Sequence, residues 1–224
     1  MQSLRMCCPL FFNMTEEEFD HCLRCSRSEV VLYRKDEPIF FQEDKPQKLF
    51  ILVEGMVAVC RDSASGKRTI VTAIRDPGEL FGEVFLFLNK NAYDHYAVAV
   101  NDTRILQMPK EFLTQRCEEN CRYHTQLITN MLSILAEKAY YLNRKLQILS
   151  SPGLRQKIAK LLLQNLSEGG AVRLPMNREE LADFLNVARP SLSRELMKMQ
   201  EDGLLHITGK NIKVLDEGAL QDLL

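Results

Sequence analysis

Arg189, Ser191, Ser193 and Arg194 lie directly after a three-residue corner, Asn186-Val187-Ala188, that separates two short stretches of apolar periodicity. These side chains suit the reading of nucleic acid. A guanidinium can donate two hydrogen bonds to the O6/N7 edge of guanine, and a serine hydroxyl can bond either a base or a phosphate. When such residues open the second helix of a helix pair, they enter the major groove. Arg178 before the corner, and Lys210 and Lys213 beyond it, are placed to meet phosphates, which fixes register without reading sequence. The competing reading is a protein-interaction helix pair whose cations are merely solvated.

Positioning those residues requires a specific order of elements. Asn177 is a suitable N-cap, with Glu180 where a capping box places its acid, and Leu181, Ala182, Phe184 and Leu185 supply the apolar face of a first helix. The second helix is predicted over Arg189–Asp202, with Pro190 in its first turn, Leu192, Leu196 and Met199 facing inward, and Gly203 ending it. Leu204–Ile207 and Ile212–Leu215, turned by Thr208-Gly209-Lys210-Asn211, read as a hairpin that adds a wing. Ahead of the pair, Leu154–Leu166 is helical in pattern, Glu168-Gly169-Gly170 stops it, and Val172-Arg173-Leu174 can form a short strand.

Upstream, Ile128, Leu132, Leu135, Ala139, Leu142, Leu146 and Leu149 recur with alternating steps of four and three. That is a coiled-coil seam, spanning about 30 Å of helix, which predicts that a helix from about Phe112 to Leu149 pairs with a copy of itself. The alternative is a long amphipathic helix packed on its own domain. Ser150-Ser151-Pro152-Gly153 ends the helix and marks a boundary.

From Val30 to Met108 the chain is a series of short β-type runs punctuated by turn residues such as Glu54-Gly55 and Asp76-Pro77-Gly78, which suggests a small antiparallel barrel or sandwich. Thr15, with Glu18 three residues on, reads as the cap of a leading helix ending near Cys25. Lys plus Arg number 29 and Asp plus Glu 30 among 224 residues, for a formal net charge of −1. A polybasic nucleic-acid or membrane binder is therefore excluded, and any DNA contact must be local. No apolar run approaches the roughly 20 residues of a membrane span, and the N-terminus lacks a signal-peptide pattern. Seven scattered cysteines make a poor disulfide framework and fit a reducing cytoplasm. Cys117, Cys121 and His124 share one helical face with acceptable metal-ligand spacing, but Cys121 also continues the seam, where packing accounts for it. Cys22 and Cys25 are one helical turn apart, and packing is again favoured over ligation. No Gly-rich phosphate loop, His-Glu-x-x-His helix or nucleophile elbow points to an enzyme.

The segment Leu49–Val57 around Gly55, the cassette Pro77-Gly78-Glu79-Leu80-Phe81-Gly82-Glu83, and Asn177–Leu205 together resemble the Crp/Fnr superfamily of bacterial transcription regulators. The resemblance covers residues from about 19 to 215. It implies an α+β fold: an N-terminal antiparallel β-roll of the double-stranded β-helix or jelly-roll type, a long dimerisation helix and a C-terminal winged helix-turn-helix. The expected domains are 1–110, 111–151 and 152–224 respectively. It also implies that Arg189, Ser193 and Arg194 read bases in a palindromic double-stranded operator, that the protein acts as a homodimer, and that RNA polymerase is a partner.

The sensor departs from the cyclic-nucleotide pattern of that family. Gly82 and Glu83 are present, but the family's phosphate-binding Arg is replaced in the run His95-Tyr96-Ala97. A buried phosphodiester without a cation is costly. Gly82, Glu83, His95 and Tyr96 are thus expected to border a pocket for an effector other than cyclic AMP, small-molecule or redox, whose identity and cofactor are unknown. The alternatives are a cyclic-nucleotide-responsive signalling module, or a haem or iron–sulfur sensor on the same architecture, with His95, His124 and Met108 as conceivable haem ligands.

Overall fold

The computed structural model describes residues 2–63, 68–88, 90–114, 122–174, 176–209 and 211–224, with the side chain of residue 122 excepted. The chain forms two compact units, 1–136 and 137–224. No helix among the described residues is long and apolar enough to cross a membrane.

The first unit opens with α1 (Gln2–Cys7) and α2 (Glu16–Cys25). Thr15 caps α2 through the expected capping box: its side chain accepts from the Glu18 amide, and Glu18 accepts from the Thr15 amide in return. Eight strands follow: β1 (Glu29–Tyr33), β2 (Pro38–Phe40), β3 (Lys48–Glu54), β4 (Val57–Asp62), β5 (Arg68–Ile74), β6 (Leu80–Phe81), then α3 (Glu83–Phe87), β7 (Tyr96–Ala99) and β8 (Thr103–Pro109). They form two four-stranded sheets, ordered β1-β8-β3-β6 and β2-β7-β4-β5, with all pairs antiparallel. This is the expected roll. The turn between β3 and β4 depends on Gly55, at φ +99°, where a Cβ would lie 2.5 Å from Thr103 Oγ1 and 2.7 Å from the Asp102 carbonyl.

Strand periodicity explains why Leu49–Val53 reads as a continuous apolar run. Phe50 and Leu52 point between the sheets, where they meet Phe40, Val57, Val59, Phe81, Tyr93 and Ile105. Leu49 and Ile51 point to the opposite face, which is covered by helices and holds Leu4, Leu10, Phe11, Phe19, Leu106 and Met108. Both faces of β3 are therefore buried, and each such Leu or Phe contributes about 1.5–3 kcal/mol relative to exposure.

After α4 (Lys110–Thr114), the long helix α5 (Arg122–Leu149) carries two stripes rather than one. Tyr123, Leu127, Met131 and Ile134 are buried on the first unit's helical core. The seam is a separate stripe: Leu132, Leu142 and Leu146 are 63%, 62% and 64% exposed, Ala139 is exposed, and Ile128, Leu135 and Leu149 are half-buried. The part of the predicted helix between residues 115 and 121 lies outside the described residues. The first stripe escaped sequence reading because its buried Asn130 interrupts the apolar pattern.

The second unit contains α6 (Leu154–Gln164), β9 (Ala171–Val172), α7 (Arg178–Phe184), α8 (Arg189–Glu201), β10 (Leu205–Thr208), β11 (Asn211–Val214) and a C-terminal α9 (Glu217–Gln221) absent from the sequence reading. The strands form one antiparallel sheet in the order β10-β11-β9. Its core joins Ile148 of α5 to Ile158, Leu161, Leu181, Leu192, Leu196, Met199 and Leu220.

Candidate nucleic-acid interface and sensor pocket

The geometry of the helix pair follows from local chemistry. The Asn177 side chain accepts from the Glu179 and Glu180 amides at 2.9 and 3.0 Å, while Glu180 accepts from the Asn177 amide at 2.7 Å, so α7 starts with a complete capping box. Leu181, Ala182 and Leu185 bury its inner face. The corner turns at Asn186, at φ +54°, a conformation that asparagine tolerates better than most side chains. α8 then begins at Arg189 with Pro190 in its first turn, and Leu192, Leu196 and Met199 anchor it to the core. Arg189, Ser193 and Arg194 are left exposed on its first turns, with Ser191 half-buried beside them. Arg194 Nε makes only a long bond, 3.4 Å, to the Pro190 carbonyl, so its fork remains available.

Of the three expected phosphate contacts, Lys213 is exposed on β11 in the wing hairpin, and Lys210 lies outside the described residues. Arg178 is half-buried. It borders a cavity of about 330 Å³ together with Leu174, Met176, Asn177, Arg189 and Ile212. Burial pushes the Arg178 guanidinium down from its ordinary value, the expected direction for a cation drawn out of water. An anion delivered to this cavity would meet the Arg178 and Arg189 side chains and also the Glu179 carboxylate.

In the roll, the cassette residues converge only in part. Gly82, at φ +79°, turns the chain from β6 into α3; a Cβ there would stand 3.0 Å from the Phe50 ring and 3.6 Å from the Tyr93 hydroxyl. Glu83 follows as the first residue of α3 and is buried. His95 packs edge-on against Phe85 at 4.8 Å, and Phe85 also touches Tyr93 at 5.3 Å, which brings His95 near the same aromatic floor. Tyr96 is engaged elsewhere: its hydroxyl donates to Asp62 Oδ1 at 2.9 Å, and Arg68 lies over its ring at 5.3 Å. His95 Nδ1 is 2.7 Å from Asp94 Oδ1, and that contact lowers the Asp94 carboxyl from its ordinary value.

The sequence reading missed Tyr93, although it is the centre of this floor. Its ring stacks on Phe40 at 4.0 Å, and its buried hydroxyl has no hydrogen-bond partner among the described residues. Burial holds the phenol above its ordinary range. The only available signal was an aromatic beside the cassette loop, which is too common to single out. The roll also has a cleft of about 340 Å³ bordered by Tyr33, Phe40, Lys48, Phe50, Tyr93 and Gln107. Glu83, His95 and Tyr96 are not among its walls.

The metal and haem candidates are dispersed. Cys117 and Cys121 lie outside the described residues, while His124 packs edge-on against Phe112 at 5.1 Å. Met108 is fully buried in the helical core. Among the described residues no three His, Cys, Asp or Glu side chains form a metal-binding group.

A two-sheet roll, followed by a long helix and a winged helix-turn-helix, defines a regulator-type chain with a DNA-binding domain. Comparison with known proteins agrees. Residues 30–120 match the cyclic nucleotide-binding domain, and residues 156–223 match the Crp-like helix-turn-helix domain. The chain is 29% identical over 215 residues to the cyclic AMP receptor protein of Thermus thermophilus, covering 96% of each chain. It is 26% identical over 220 residues to the transcriptional activator protein FnrA of Stutzerimonas stutzeri, covering 94% of this chain and 85% of that one. The crystal structure of the Thermus thermophilus catabolite activator protein superposes with a TM-score of 0.53 at 29% identity, covering 96% of this chain and 97% of the other. The chain belongs to the Crp/Fnr family of DNA-binding transcription regulators.

Proposed function

We propose that the protein is a homodimeric regulator that binds a palindromic operator in the cytoplasm and answers to an effector other than cyclic AMP. In this reading residues 1–110 sense, 111–151 dimerise and 152–224 read DNA. Arg189, Ser191, Ser193 and Arg194 face bases, Arg178, Lys210 and Lys213 meet phosphates, and RNA polymerase is the downstream partner. The observation that carries the DNA assignment is the exposure of Arg189, Ser193 and Arg194 on the first turns of a helix whose opposite face is buried. The exposed seam at Leu132, Leu142 and Leu146 supports pairing with a second copy, because contiguous apolar side chains on a long helix are costly to leave in water.

Two observations bear on the effector. No arginine follows Glu83 at the family's phosphate position, and Asp94 beside His95 offsets any charge that His95 could offer a phosphodiester. Against this stands the similarity to a protein named as a cyclic AMP receptor. Calorimetric titration with cyclic AMP separates the two: micromolar binding would overturn the proposed sensor and leave the DNA assignment intact.

Selection of preferred duplexes from a random pool, followed by binding titrations at several salt concentrations, tests the DNA assignment. Arg194→Ala is expected to cost about 1–3 kcal/mol on the selected site and to flatten preference at one base pair. Arg178→Ala is expected to weaken all duplexes alike and reduce the salt slope by about one. Equal loss on every sequence for Arg194→Ala would remove its base-reading role.

A further inference from the structure

Cys25 closes α2 and is half-buried, so reagents can reach it. Its Sγ lies 3.8 Å from His21 Nδ1, one helical turn earlier on the same helix. The same nitrogen lies 2.8 Å from the hydroxyl of Tyr123 in the first turn of α5, and the two rings meet edge to face with centroids 5.4 Å apart. His21 Nδ1 is thus a junction shared by a thiol and a phenol. The remaining described thiols lack this combination of access and an adjacent imidazole. Cys8 and Cys22 are buried, and burial pushes the Cys8 thiol up to about 12. Cys60 is buried as well, and its thiol is raised for the same reason. Cys7 is exposed, but its Sγ donates to the Leu4 carbonyl of its own helix at 3.7 Å.

We propose that Cys25 is an oxidation site for hydroperoxides, with His21 as its proton acceptor and Tyr123 as the positioning residue that orients the imidazole. The nucleophile is the thiolate, so a proton acceptor in contact with the sulfur is what would make Cys25 reactive. The Cys25 proton passes from Sγ to His21 Nδ1, and the thiolate sulfur attacks one peroxide oxygen. The S–O bond forms as the O–O bond breaks. The departing oxygen takes the proton from Nδ1 and leaves as water or an alcohol, and His21 returns to its neutral form. Sulfur loses two electrons and the peroxide gains them, which gives a sulfenic acid. While Nδ1 carries the proton it donates to the Tyr123 oxygen, so the phenol must turn from donor to acceptor. The product oxygen then competes with Tyr123 for His21, so oxidation is read where α2 meets α5.

The test uses the full reduced chain, exposed briefly to hydrogen peroxide below one equivalent in the presence of dimedone, with peptide mass spectrometry to quantify each thiol. Cys25 is expected to be trapped several-fold more than the more exposed Cys7, which has no imidazole in contact with its sulfur among the described residues. His21→Gln should bring Cys25 down to the level of Cys7. Tyr123→Phe should lower trapping at Cys25 while leaving Cys7 unchanged, because the imidazole loses the hydroxyl that orients it while His21 and Cys25 themselves are retained. Trapping of wild-type Cys25 no greater than that of Cys7 overturns the proposal by itself, whether or not the variants fold. An undiminished preference in folded His21→Gln overturns it as well.

Discussion

Arg155 Nε donates to Glu195 Oε1 at 2.6 Å, while its Nη1 donates to Asp202 Oδ2 at 2.7 Å, so one guanidinium ties α6 to both the middle and the C-terminal end of α8. The helix that carries Arg189 and Arg194 is therefore held by more than its apolar face. The planar fork of arginine allows two acceptors to be held at once, which a lysine ammonium does with less geometric control.

Replacing Arg155 by Ala is expected to lower stability of the second unit by about 1 kcal/mol, since both ion pairs are partly solvated. Thermal melting read by circular dichroism measures this. The order of preference among duplexes should persist, because Arg155 is not one of the exposed residues on the first turns of α8. A changed base preference would show that the tie sets the orientation of the recognition helix as well as its stability.

In the first unit Asn130 has a comparable role at higher stakes. Its buried Nδ2 donates to the Leu10 carbonyl at 2.9 Å and the Phe12 carbonyl at 2.8 Å, and its Oδ1 accepts from Gln126 Nε2 at 2.8 Å. Asn130→Ala removes both donors from carbonyls that water reaches poorly, which should cost about 1–3 kcal/mol in denaturant unfolding. A cost within experimental error would mean that water replaces the amide there.

Much of this architecture was legible in the sequence, for identifiable reasons. Thr15 with Glu18 and Asn177 with Glu180 announced helix starts because capping boxes are local, and β3 was visible as an apolar run because it buries both faces. The corner before α8 followed from Asn186 and Pro190. What stayed hidden depends on contacts far apart in the chain. Nothing near residue 130 signals that Asn130 will meet Leu10, and neither His21 nor Tyr123 hints at the other across 102 positions. α3 and β6 were missed because a helix of five residues and a strand of two leave no measurable period.

The seam yields a prediction about assembly. Leu142 and Leu146 are exposed in the single chain, so replacing both by Glu should leave the melting of each unit nearly unchanged. In a paired helix the same change removes about 1.5–3 kcal/mol per leucine and sets like charges against one another, which weakens the dimer by more than about a hundredfold. Sedimentation equilibrium of wild type and variant decides this. A wild-type monomer at tens of micromolar would remove the proposed dimer, and a dimer indifferent to the double substitution would place the pairing surface elsewhere.

His124 makes stability depend on pH in a defined direction. Its Nδ1 is buried without a hydrogen-bond partner among the described residues, and desolvation holds the imidazole below its ordinary value. In the unfolded chain it takes up a proton near pH 6.5, whereas in the folded chain it does so only at lower pH. Between those two points the unfolded state binds more protons, so stability is fully present above about pH 6.5 and is lost as pH falls through the folded value. His124→Gln removes this titration while keeping a similar shape. The midpoint of urea unfolding should therefore fall less between pH 7.5 and pH 5.5 in the variant than in wild type. The test must compare slopes rather than single values, because the carboxylates also begin to titrate toward the acid end. Equal slopes in the two proteins would show that His124 is protonated as readily in the fold as outside it.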